Sequence, residues 1–328
     1  MVSAGIIGVG SFGEKRAKAI LATNNGCLAG VADINANRSE TLARQLNCAS
    51  FLPQELLENP DIDAVIISVP NRYHMEYAVA ALKNGKHVLC EKPLARDVYE
   101  ASQIVSAVER SGRLFKTGSN HRYFNSVKKA YEIFHSGYIG EVVSFNGRIG
   151  NNGERIKDSW FGDRELSGGG AMLDNGCHLL DIARWFMGDF ISGVGMTGNA
   201  YWVDLPVEDI ATGIFQTADG KIATINSSWR QLSGYFYFEV NGSKGYITVD
   251  GRFDTHGGDN IYWQSIEDGK EIHCVNYGHV TPDSYVKELS YFFECILLGV
   301  SPQPSVYDGL EVIKMVESVY ASRPLLKT

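Results

Sequence analysis

The chain has 328 residues, of which 44% are hydrophobic and 21% charged, which is typical of a folded globular protein and excludes disordered and fibrous classes. The formal net charge is −8 and the basic residues are scattered, so the sequence lacks the positive stripe that a nucleic-acid-binding surface needs. The six cysteines are far apart and form no Cys-x-x-Cys pair, which predicts free thiols in a reducing compartment and therefore a cytoplasmic location.

Residues 1–120 alternate between short apolar strands and helical patterns. The opening "VSAGII" is typical of a buried strand and lacks the charged region that begins a signal peptide. Later strands such as "DAVIISVP" are followed by helical patterns such as "HMEYAVAALKNG" and "VYEASQIVSAVERSG", which end at Gly85 and Gly112. No stretch is long and apolar enough to span a membrane. The alternation predicts an α/β domain with a doubly wound parallel sheet.

The pattern changes near residue 120, and residues 121–328 are predicted to form a second, α+β domain. Between 190 and 275 the sequence consists mostly of strands, which predict a large, mostly antiparallel open sheet. The segments "ADG" at 218–220 and "NG" at 241–242 predict hairpin turns between these strands. Two helical patterns near 283–298 and 308–321 close the chain and are assigned to this second domain.

The sequence "GVGSFG" follows the first strand directly and opens the first helix. It supplies Gly8, Gly10 and Gly13 in the G-x-G-x-x-G spacing. The first glycine allows a sharp turn, the second lets the backbone approach a pyrophosphate, and the third lets helix and strand pack closely. The amides of Ser11 and Phe12 then lie at the positive end of the helix, where phosphates bind. In this context the motif predicts a dinucleotide-binding Rossmann domain.

An acid follows the second strand where a ribose-binding carboxylate is expected. Asp33 lies 20 residues beyond Gly13. Its carboxylate would accept a hydrogen bond from a ribose 2′-hydroxyl and would repel a 2′-phosphate, which favours NAD over NADP. Arg38 lies near enough to keep NADP as a second possibility. The structural alternative is a generic glycine-rich turn in which Asp33 only caps the next helix.

The segment 168–186, "GGGAMLDNGCHLLDIARWF", places polar residues within an otherwise apolar helical pattern. Asp174 and His178 are four residues apart, and Asp181 follows within another turn. Side chains at this spacing share one helix face, and an imidazole beside a carboxylate is suited to general acid–base catalysis. The glycines are expected to bring the backbone close to cofactor and substrate. On spacing alone, a capping acid and a buried core histidine explain the pattern equally well.

Three segments of the chain, taken in order, resemble the Gfo/Idh/MocA family of glucose–fructose oxidoreductase, inositol dehydrogenase and their relatives. They are "GIIGVGSFG", "SVPNRYHMEYAVAALKNGKHVLCEKPLA" and "GGGAMLDNGCHLLDIARWFMG". The resemblance covers essentially the whole chain. It implies a Rossmann domain at 1–120 that binds NAD, with NADP as the second possibility. It also implies a substrate-binding domain at 121–328 that forms dimers or tetramers through its open sheet. It also implies a dehydrogenase that acts on a secondary hydroxyl of a sugar, sugar derivative or cyclitol.

The resemblance assigns roles only to the positions that match the family motifs. Lys92 in "EKP" matches the active-site lysine, and Asp174 and His178 match the catalytic aspartate and histidine. Cofactor contacts are implied for Pro70, Asn71, His74, Glu91 and Lys92. The residues leave open whether His178 or Lys92 is the base, and no metal ion is expected.

Four further residues are weaker candidates for substrate contacts. Asn120 and Arg122 in "SNHRYFN" would either reach the substrate or tie the two domains together. Trp160 and Arg164 belong to a polar, glycine-rich loop at 150–170, where either selectivity or simple solvation would explain them.

Two other classes of protein share the scaffold. One is a glycosidase that uses tightly held NAD for a transient oxidation, and the other is a non-catalytic sensor of sugar or NAD. The intact set of Lys92, Asp174 and His178 argues against the sensor, which has no need for a base.

Overall fold

The computed structural model describes residues 1–154, 156, 158–251, 259–278 and 283–322. The chain divides into two compact units. The first comprises Met1–Asn120 and Pro282–Leu310, and the second comprises His121–Thr281 and Glu311–Thr328.

The secondary-structure elements follow one another in chain order. The strands are β1 Val2–Ile7, β2 Gly26–Ala32, β3 Ala49–Phe51, β4 Ala64–Ile67, β5 His87–Cys90, β6 Phe115–Thr117, β7 Val142–Gly150, β8 Phe190–Gly198, β9 Ile210–Thr217, β10 Ile222–Ser228, β11 Tyr235–Gly242, β12 Gly245–Gly251, β13 Asn260–Ser265 and β14 His273–Asn276. The helices are α1 Ser11–Leu21, α2 Ala36–Leu46, α3 Pro53–Glu58, α4 His74–Lys83, α5 Val98–Ser111, α6 Asn125–His135, α7 Arg164–Ser167, α8 Cys177–Met187, α9 Ser284–Leu298 and α10 Val306–Tyr320. A π-helical turn, Met172–Gly176, directly precedes α8.

The first unit is built on a parallel sheet. Its strand order is β3-β2-β1-β4-β5-β6, and every neighbouring pair is parallel. Strand β4 is buried at each position, as expected for a strand that is covered on both faces. This order is that of a dinucleotide-binding Rossmann fold, so the predicted doubly wound sheet is confirmed.

Local signals account for the helix boundaries in this unit. Helix α5 begins at the residue after Asp97, whose carboxylate accepts the Glu100 N–H at 2.8 Å. It ends at Gly112, which adopts the left-handed conformation with a φ of 64°. These boundaries agree with the sequence prediction because capping residues act within one turn of the helix.

Helix α9 packs in the first unit, although it lies within the range 121–328 that was predicted to form the second domain. Leu289, Phe292 and Phe293 belong to the same hydrophobic core as β1 and α1. Gly26 leaves the space that the Phe293 ring occupies, since a Cβ there would clash with the ring. Burying each large apolar side chain contributes about 1.5–3 kcal/mol. The predicted single boundary after residue 120 is therefore wrong for this helix.

The second unit contains a sheet with the order β14-β13-β12-β11-β7-β10-β9-β8 over the residues that the structure describes. All neighbouring strands are antiparallel except β7 and β10. The mostly antiparallel sheet predicted from the sequence is therefore confirmed.

One face of this sheet carries the core of the second unit. Phe145, Phe236 and Phe238 are fully buried there, and the rings of Phe145 and Phe238 stack with centroids 5.3 Å apart. Helix α6 packs against β12 and β13, and α8 packs against β7. At β8, Gly193 and Gly195 leave room for side chains of α10, with which a Cβ would clash.

One of the two predicted hairpin turns is displaced. Residues 218–220 connect β9 to β10 as predicted, and Gly220 has a φ of 87°. Residues 241–242 instead lie within β11, and the chain reverses at residues 243–244. Gly242 is needed at its position because the Ile139 carbonyl approaches so closely that a Cβ would clash with it.

Candidate functional site

The glycine-rich segment forms a tight turn between β1 and α1. Gly8 has a φ of 91°, and a Cβ at this residue would clash with the backbone that follows β4. A Cβ at Gly13 would clash with the Gly8 carbonyl, so α1 starts against the end of β1 only because residue 13 has no side chain. Gly10 faces open space. Ser11 and Phe12 lie in the first turn of α1, whose N–H groups have no acceptor within the helix.

The carboxylate of Asp33 is fixed beside this turn. One oxygen accepts the Val9 N–H and the other accepts the Asn35 N–H, each at 2.9 Å. Helix α2 is capped by the side chain of Asn35, which accepts the Arg38 N–H, so Asp33 is not the cap of this helix. Each carboxylate oxygen can accept a further hydrogen bond, as a ribose hydroxyl requires.

The loop after β4 carries three of the predicted cofactor contacts. Pro70 precedes a short 3₁₀ turn in which Asn71 is buried. His74 begins α4, with Nδ1 2.8 Å from the Pro93 carbonyl and Nε2 3.0 Å from the Val69 carbonyl. Burial lowers the pKa of His74. Because both ring nitrogens face backbone carbonyls, His74 links this loop to the one that follows β5.

Glu91 and Lys92 follow β5 directly. Oε1 of Glu91 accepts a hydrogen bond from Nε of Arg16 at 2.6 Å, and Oε2 lies 3.3 Å from the Lys92 N–H. Arg16 is fully buried and also bonds Glu288 of α9 at 2.6 Å. Lys92 itself is partly exposed. A buried ion pair therefore fixes the backbone that leads into this lysine.

These residues fit NAD. The glycine turn is a backbone cradle that side chains would fill, and Asp33 supplies an adjacent carboxylate. The strands that end at these groups, β2, β1, β4 and β5, are consecutive neighbours in the sheet. Dinucleotides bind at the carboxyl ends of strands arranged in this way.

In the second unit, Asp174 and His178 lie on one continuous helical segment. Asp174 belongs to the π turn and His178 to α8, and they are 9% and 6% exposed. Oδ2 of Asp174 accepts a hydrogen bond from the indole nitrogen of Trp229 at 3.1 Å. The π turn was not predicted, because apolar spacing over a few residues does not distinguish it from an α-helical turn. Such turns occur frequently at functional sites.

A second imidazole covers the ring of His178. The rings of His121 and His178 stack with centroids 3.6 Å apart and planes 9° apart. Phe236 meets the His121 ring edge-on at 5.1 Å. Two imidazolium rings in this arrangement would repel each other, so the stack disfavours a state in which both are charged.

The three glycines before this segment have roles within the protein backbone. Gly168 ends α7 with a φ of 83°. A Cβ at Gly169 would clash with the Tyr320 hydroxyl, and one at Gly170 would clash with the backbone of Glu208. Gly169 therefore admits the side chain of Tyr320, and Gly170 admits the backbone of Glu208, both from the same unit. The expectation that the glycines bring the backbone close to cofactor and substrate stays a prediction.

Two of the weaker candidates have structural partners. The guanidinium of Arg122 donates two hydrogen bonds to Asp181, at 2.6 and 2.7 Å, and lies over the ring of Trp185. Nδ2 of Asn120 donates to the Ser284 hydroxyl at 3.1 Å. These contacts favour the structural alternative for both residues.

The two loop candidates are more accessible. Trp160 stacks on Phe161 with ring centroids 3.9 Å apart and remains partly exposed. Arg164 is exposed at the start of α7, where Nη1 lies 3.4 Å from the Pro206 carbonyl. Both side chains can therefore meet a ligand from solvent.

Sequence reasoning missed three residues around the Asp174 segment. His121 lies between the candidates Asn120 and Arg122, and Trp229 follows β10. Glu208 lies in the connection between β8 and β9. Trp229 is 55 positions from Asp174, so no local pattern associates them. The one available signal for Trp229 was a large side chain with a polar nitrogen at the end of a buried strand, since such a nitrogen needs a partner.

Some kinds of site are not seen in the part of the chain that the structure describes. Over these ranges no three His, Cys, Asp or Glu side chains are grouped so that they could hold a metal ion. Nor does any helix within them combine the length and apolar character that crossing a membrane requires.

Comparisons with known proteins agree with this architecture. The family model described as "Oxidoreductase family, NAD-binding Rossmann fold" matches residues 2–119, and the "GFO/IDH/MocA C-terminal domain" model matches residues 127–248. The chain is 31% identical over 258 residues to 2,7-anhydro-N-acetylneuraminate hydratase of Escherichia coli K12, and this alignment covers 76% of this chain and 68% of that protein. It is 28% identical over 313 residues to myo-inositol 2-dehydrogenase of Thermotoga maritima, and that alignment covers 93% of this chain and 91% of the relative.

The fold also matches a solved structure. Levoglucosan dehydrogenase in complex with NADH and levoglucosan aligns with a TM-score of 0.90 over 98% of this chain and 96% of that chain. The two sequences are 23% identical, so this likeness concerns the fold. Together with the two family matches and the glycine turn beside Asp33, it leads to one assignment: the chain belongs to the Gfo/Idh/MocA family and is an NAD-binding oxidoreductase.

Proposed function

We propose that the chain transfers hydride between the nicotinamide of NAD and a secondary hydroxyl of a sugar, sugar derivative or cyclitol. The observation that carries the proposal is the pair Asp174 and His178, which are at least nine-tenths buried on one helical segment of an NAD-binding oxidoreductase. Relatives named myo-inositol 2-dehydrogenase and levoglucosan dehydrogenase support this substrate class.

The residues of the chain supply proton transfer and orientation. When bound, NAD supplies the hydride acceptor. We assign His178 as the base that takes the hydroxyl proton, because the pKa of an imidazole ordinarily lies near neutrality. Asp174, which Trp229 fixes by its indole hydrogen bond, either orients the imidazole or binds substrate, and its charge favours the imidazolium that forms. Lys92 donates a hydrogen bond to the substrate oxygen, and the reverse assignment, with Lys92 as the base, is kept as the alternative.

Substrate selectivity is assigned to the loop before α7. Trp160 offers a partly exposed indole, on whose face the apolar side of a sugar ring can pack. Arg164 offers an exposed cation with several donors for hydroxyl or acidic groups. Asn120 and Arg122 are assigned structural roles because of the partners described above.

The test of this function is a spectrophotometric assay for reduced cofactor. Pure protein is mixed with NAD or NADP and a panel of sugars, cyclitols, anhydro sugars and sugar nucleotides. Formation of NADH with one substrate class supports the proposal and identifies the class. A relative is named a hydratase, so turnover of an anhydro sugar or glycoside without net NADH would favour a reaction with transient oxidation instead. NAD binding without any turnover would favour the sensor.

Asp33 is expected to determine cofactor preference. Replacing it with serine should lower kcat/KM for NAD by about 10- to 100-fold, because a hydrogen bond to a charged group contributes about 1.5–3 kcal/mol. The ratio of kcat/KM for NAD to kcat/KM for NADP should also fall, since the charge that repels a 2′-phosphate is lost. Asp33→Asn is the matched variant, because it removes the charge and retains the size. The measurement is the ratio of kcat/KM values for the two cofactors, and an unchanged ratio in both variants would contradict the assignment.

We also propose that the open sheet of the second unit forms a homodimer or homotetramer. On the face opposite the core, Val194 and Met196 of β8 are 58% and 72% exposed, and the paired Ile214 of β9 is 46% exposed. Tyr235 and Tyr237 flank Arg148 on the same face, with the guanidinium 5.1 Å from each ring. Exposed apolar and aromatic side chains on one sheet face are typical of an interaction surface, which supports this proposal.

The double variant Met196→Asp and Ile214→Asp is expected to dissociate this assembly, because each new carboxylate would be buried without a partner. Sedimentation velocity measures the resulting change in the mass of the assembly. Val203→Asp is the matched control, since Val203 is 71% exposed in a connecting loop. A double variant with the same mass as the wild type would show that this face is not the interface.

We propose a cytoplasmic location for the protein. All six cysteines are free thiols, three of them buried. Thiols of this kind persist in a reducing compartment, which supports the proposal.

A further inference from the structure

A carboxylate from a distant connection caps the segment that carries Asp174 and His178. Glu208 is 7% exposed. Its Oε2 accepts the Gly170 N–H and its Oε1 accepts the Met172 N–H, both at 2.9 Å. The first N–H groups of a helix have no acceptor within it, and an anion placed there also faces the positive end of the helix dipole. Glu208 therefore binds the first turn of this segment through N–H groups that the segment cannot satisfy itself.

Tyr320, at the end of α10, completes this contact. Its hydroxyl donates to Oε1 of Glu208 at 2.8 Å, and the backbone carbonyl of Glu208 accepts the Ala171 N–H at 3.0 Å. Burial raises the pKa of Glu208 and of Tyr320, as expected for groups removed from water. The lack of side chains at Gly169 and Gly170 lets both residues approach the backbone.

The capped turn leads directly into the π turn that contains Asp174. The Asp174 N–H donates to the Gly170 carbonyl at 2.9 Å, so the residue held by Glu208 is also bonded to the backbone of Asp174. Within the π turn, the Trp229 indole bonds the Asp174 carboxylate. A single π turn inside a helix is an uncommon geometry, so the contacts at its start and at Asp174 bear on how it presents its side chains.

We propose that Glu208, together with Tyr320, is a positioning residue that sets the orientation of the Asp174 carboxylate through the N–H groups of Gly170 and Met172. Its effect on rate rests on the function proposed above, whereas its effect on geometry does not. A misplacement of about 1 Å in a group that takes part in the reaction can lower the rate about 100-fold.

The kinetic test compares matched variants. Glu208→Gln presents an amide NH₂ to one of the two N–H groups, and kcat is expected to fall about 10- to 100-fold with NADH affinity unchanged. Tyr320→Phe keeps both N–H contacts and should lower kcat only about fivefold. Glu109→Gln and Tyr307→Phe are the controls, because Tyr307 donates to Glu109 at 3.1 Å in an exposed pair of the same kind.

A second readout does not depend on activity. The chain has five tryptophans, and the Trp229→Phe variant assigns the Trp229 indole signal in a spectrum of protein labelled with ¹⁵N-tryptophan. Glu208→Gln is expected to shift this signal, because Trp229 reports on the Asp174 carboxylate. The control Glu109→Gln should leave it in place. A purely structural role would lower stability without moving the signal in the folded protein.

The outcomes separate the two proposals. A shifted Trp229 signal together with a lower kcat supports the positioning role. An unshifted signal, or a kcat equal to that of Glu109→Gln, overturns it. A shifted signal in a protein whose wild type oxidises none of the substrates supports the positioning of Asp174 and counts against the proposed dehydrogenase function.

Discussion

Replacing His178 with asparagine, or Lys92 with methionine, is expected to lower kcat by about 10²–10⁴-fold. General acid–base assistance contributes this much to proton transfer, and neither new side chain can take or give a proton near neutral pH. His178 belongs to the second unit, whereas the glycine turn and Asp33 belong to the first, so the substitution changes no residue of the cofactor-binding turn. NADH fluorescence should therefore show near-normal cofactor binding by His178→Asn.

Exposed residues of the same types provide the controls. His135→Asn, at the end of α6, and Lys83→Met, at the end of α4, should retain wild-type kcat. A variant of His178 or Lys92 that keeps kcat within about threefold of its control would exclude that residue from the proton-transfer step, since the loss expected from general acid–base catalysis is far larger.

The pH profile distinguishes the two candidate bases. The rate of oxidation falls on the acid side when the base becomes protonated, and kcat/KM reports this in the free enzyme. The variant that lacks the base should lose this acid limb and keep a low, flat residual rate. The variant that lacks only the hydrogen-bond donor should retain the limb at a lower rate. Retention of the limb in His178→Asn together with its loss in Lys92→Met would reverse our assignment.

Glu288→Gln is expected to destabilise the first unit by about 3–5 kcal/mol, because removing one member of a buried ion pair leaves its partners uncompensated. Glu288 is fully buried and bonds Arg16 at 2.6 Å and Lys116 at 2.9 Å. It also accepts the Ser119 N–H at 2.7 Å. The free energy of unfolding from urea titration measures the effect. Glu294→Gln on the same helix is the control, since Glu294 is exposed.

The difference in free energy of unfolding between the wild type and Glu288→Gln is expected to depend on pH in one direction. Burial alone would raise the pKa of Glu288, but Lys116 and Arg16 outweigh it and lower the pKa from its usual 4.5 to about 2. A shift of this size corresponds to about 3 kcal/mol. The stabilisation is fully present above the unfolded-state pKa and is lost as pH falls toward the folded-state value. The difference between wild type and Glu288→Gln should therefore be largest at neutral pH and shrink between pH 4.5 and 2. A difference that stays constant over this range would contradict the ion-pair explanation.

Local patterns in the sequence were sufficient for the first sheet and its glycine turn. The turn needs Gly8 for a positive φ and Gly13 for a contact without a side chain, and both requirements are met within a few residues. Helix ends such as Gly112 and buried strands such as β4 also depend on neighbours in sequence or on simple periodicity. These features were predicted correctly because the physical cause and the residues that express it lie in the same segment.

The packing of α9 and the surroundings of Asp174 depended on partners that are distant in sequence. The apolar face of α9 suits either unit, and only the space beside Gly26 shows that Phe293 packs in the first. Asp174 is bonded by Trp229, and the glycines before it admit Glu208. An apolar side chain can pack against many apolar surfaces, and a polar group can bond many partners. Composition and spacing therefore do not identify which distant residue each of them contacts.

The sequence by itself therefore determined the family, the cofactor-binding turn and the candidates Lys92, Asp174 and His178, because these rest on motifs whose members are close in the chain. The tertiary structure decided which unit α9 joins, where the π turn lies and how Asp174 is held. Each of these depends on contacts that fold distant segments together, and the free energy of such contacts is set by shape and burial rather than by local spacing.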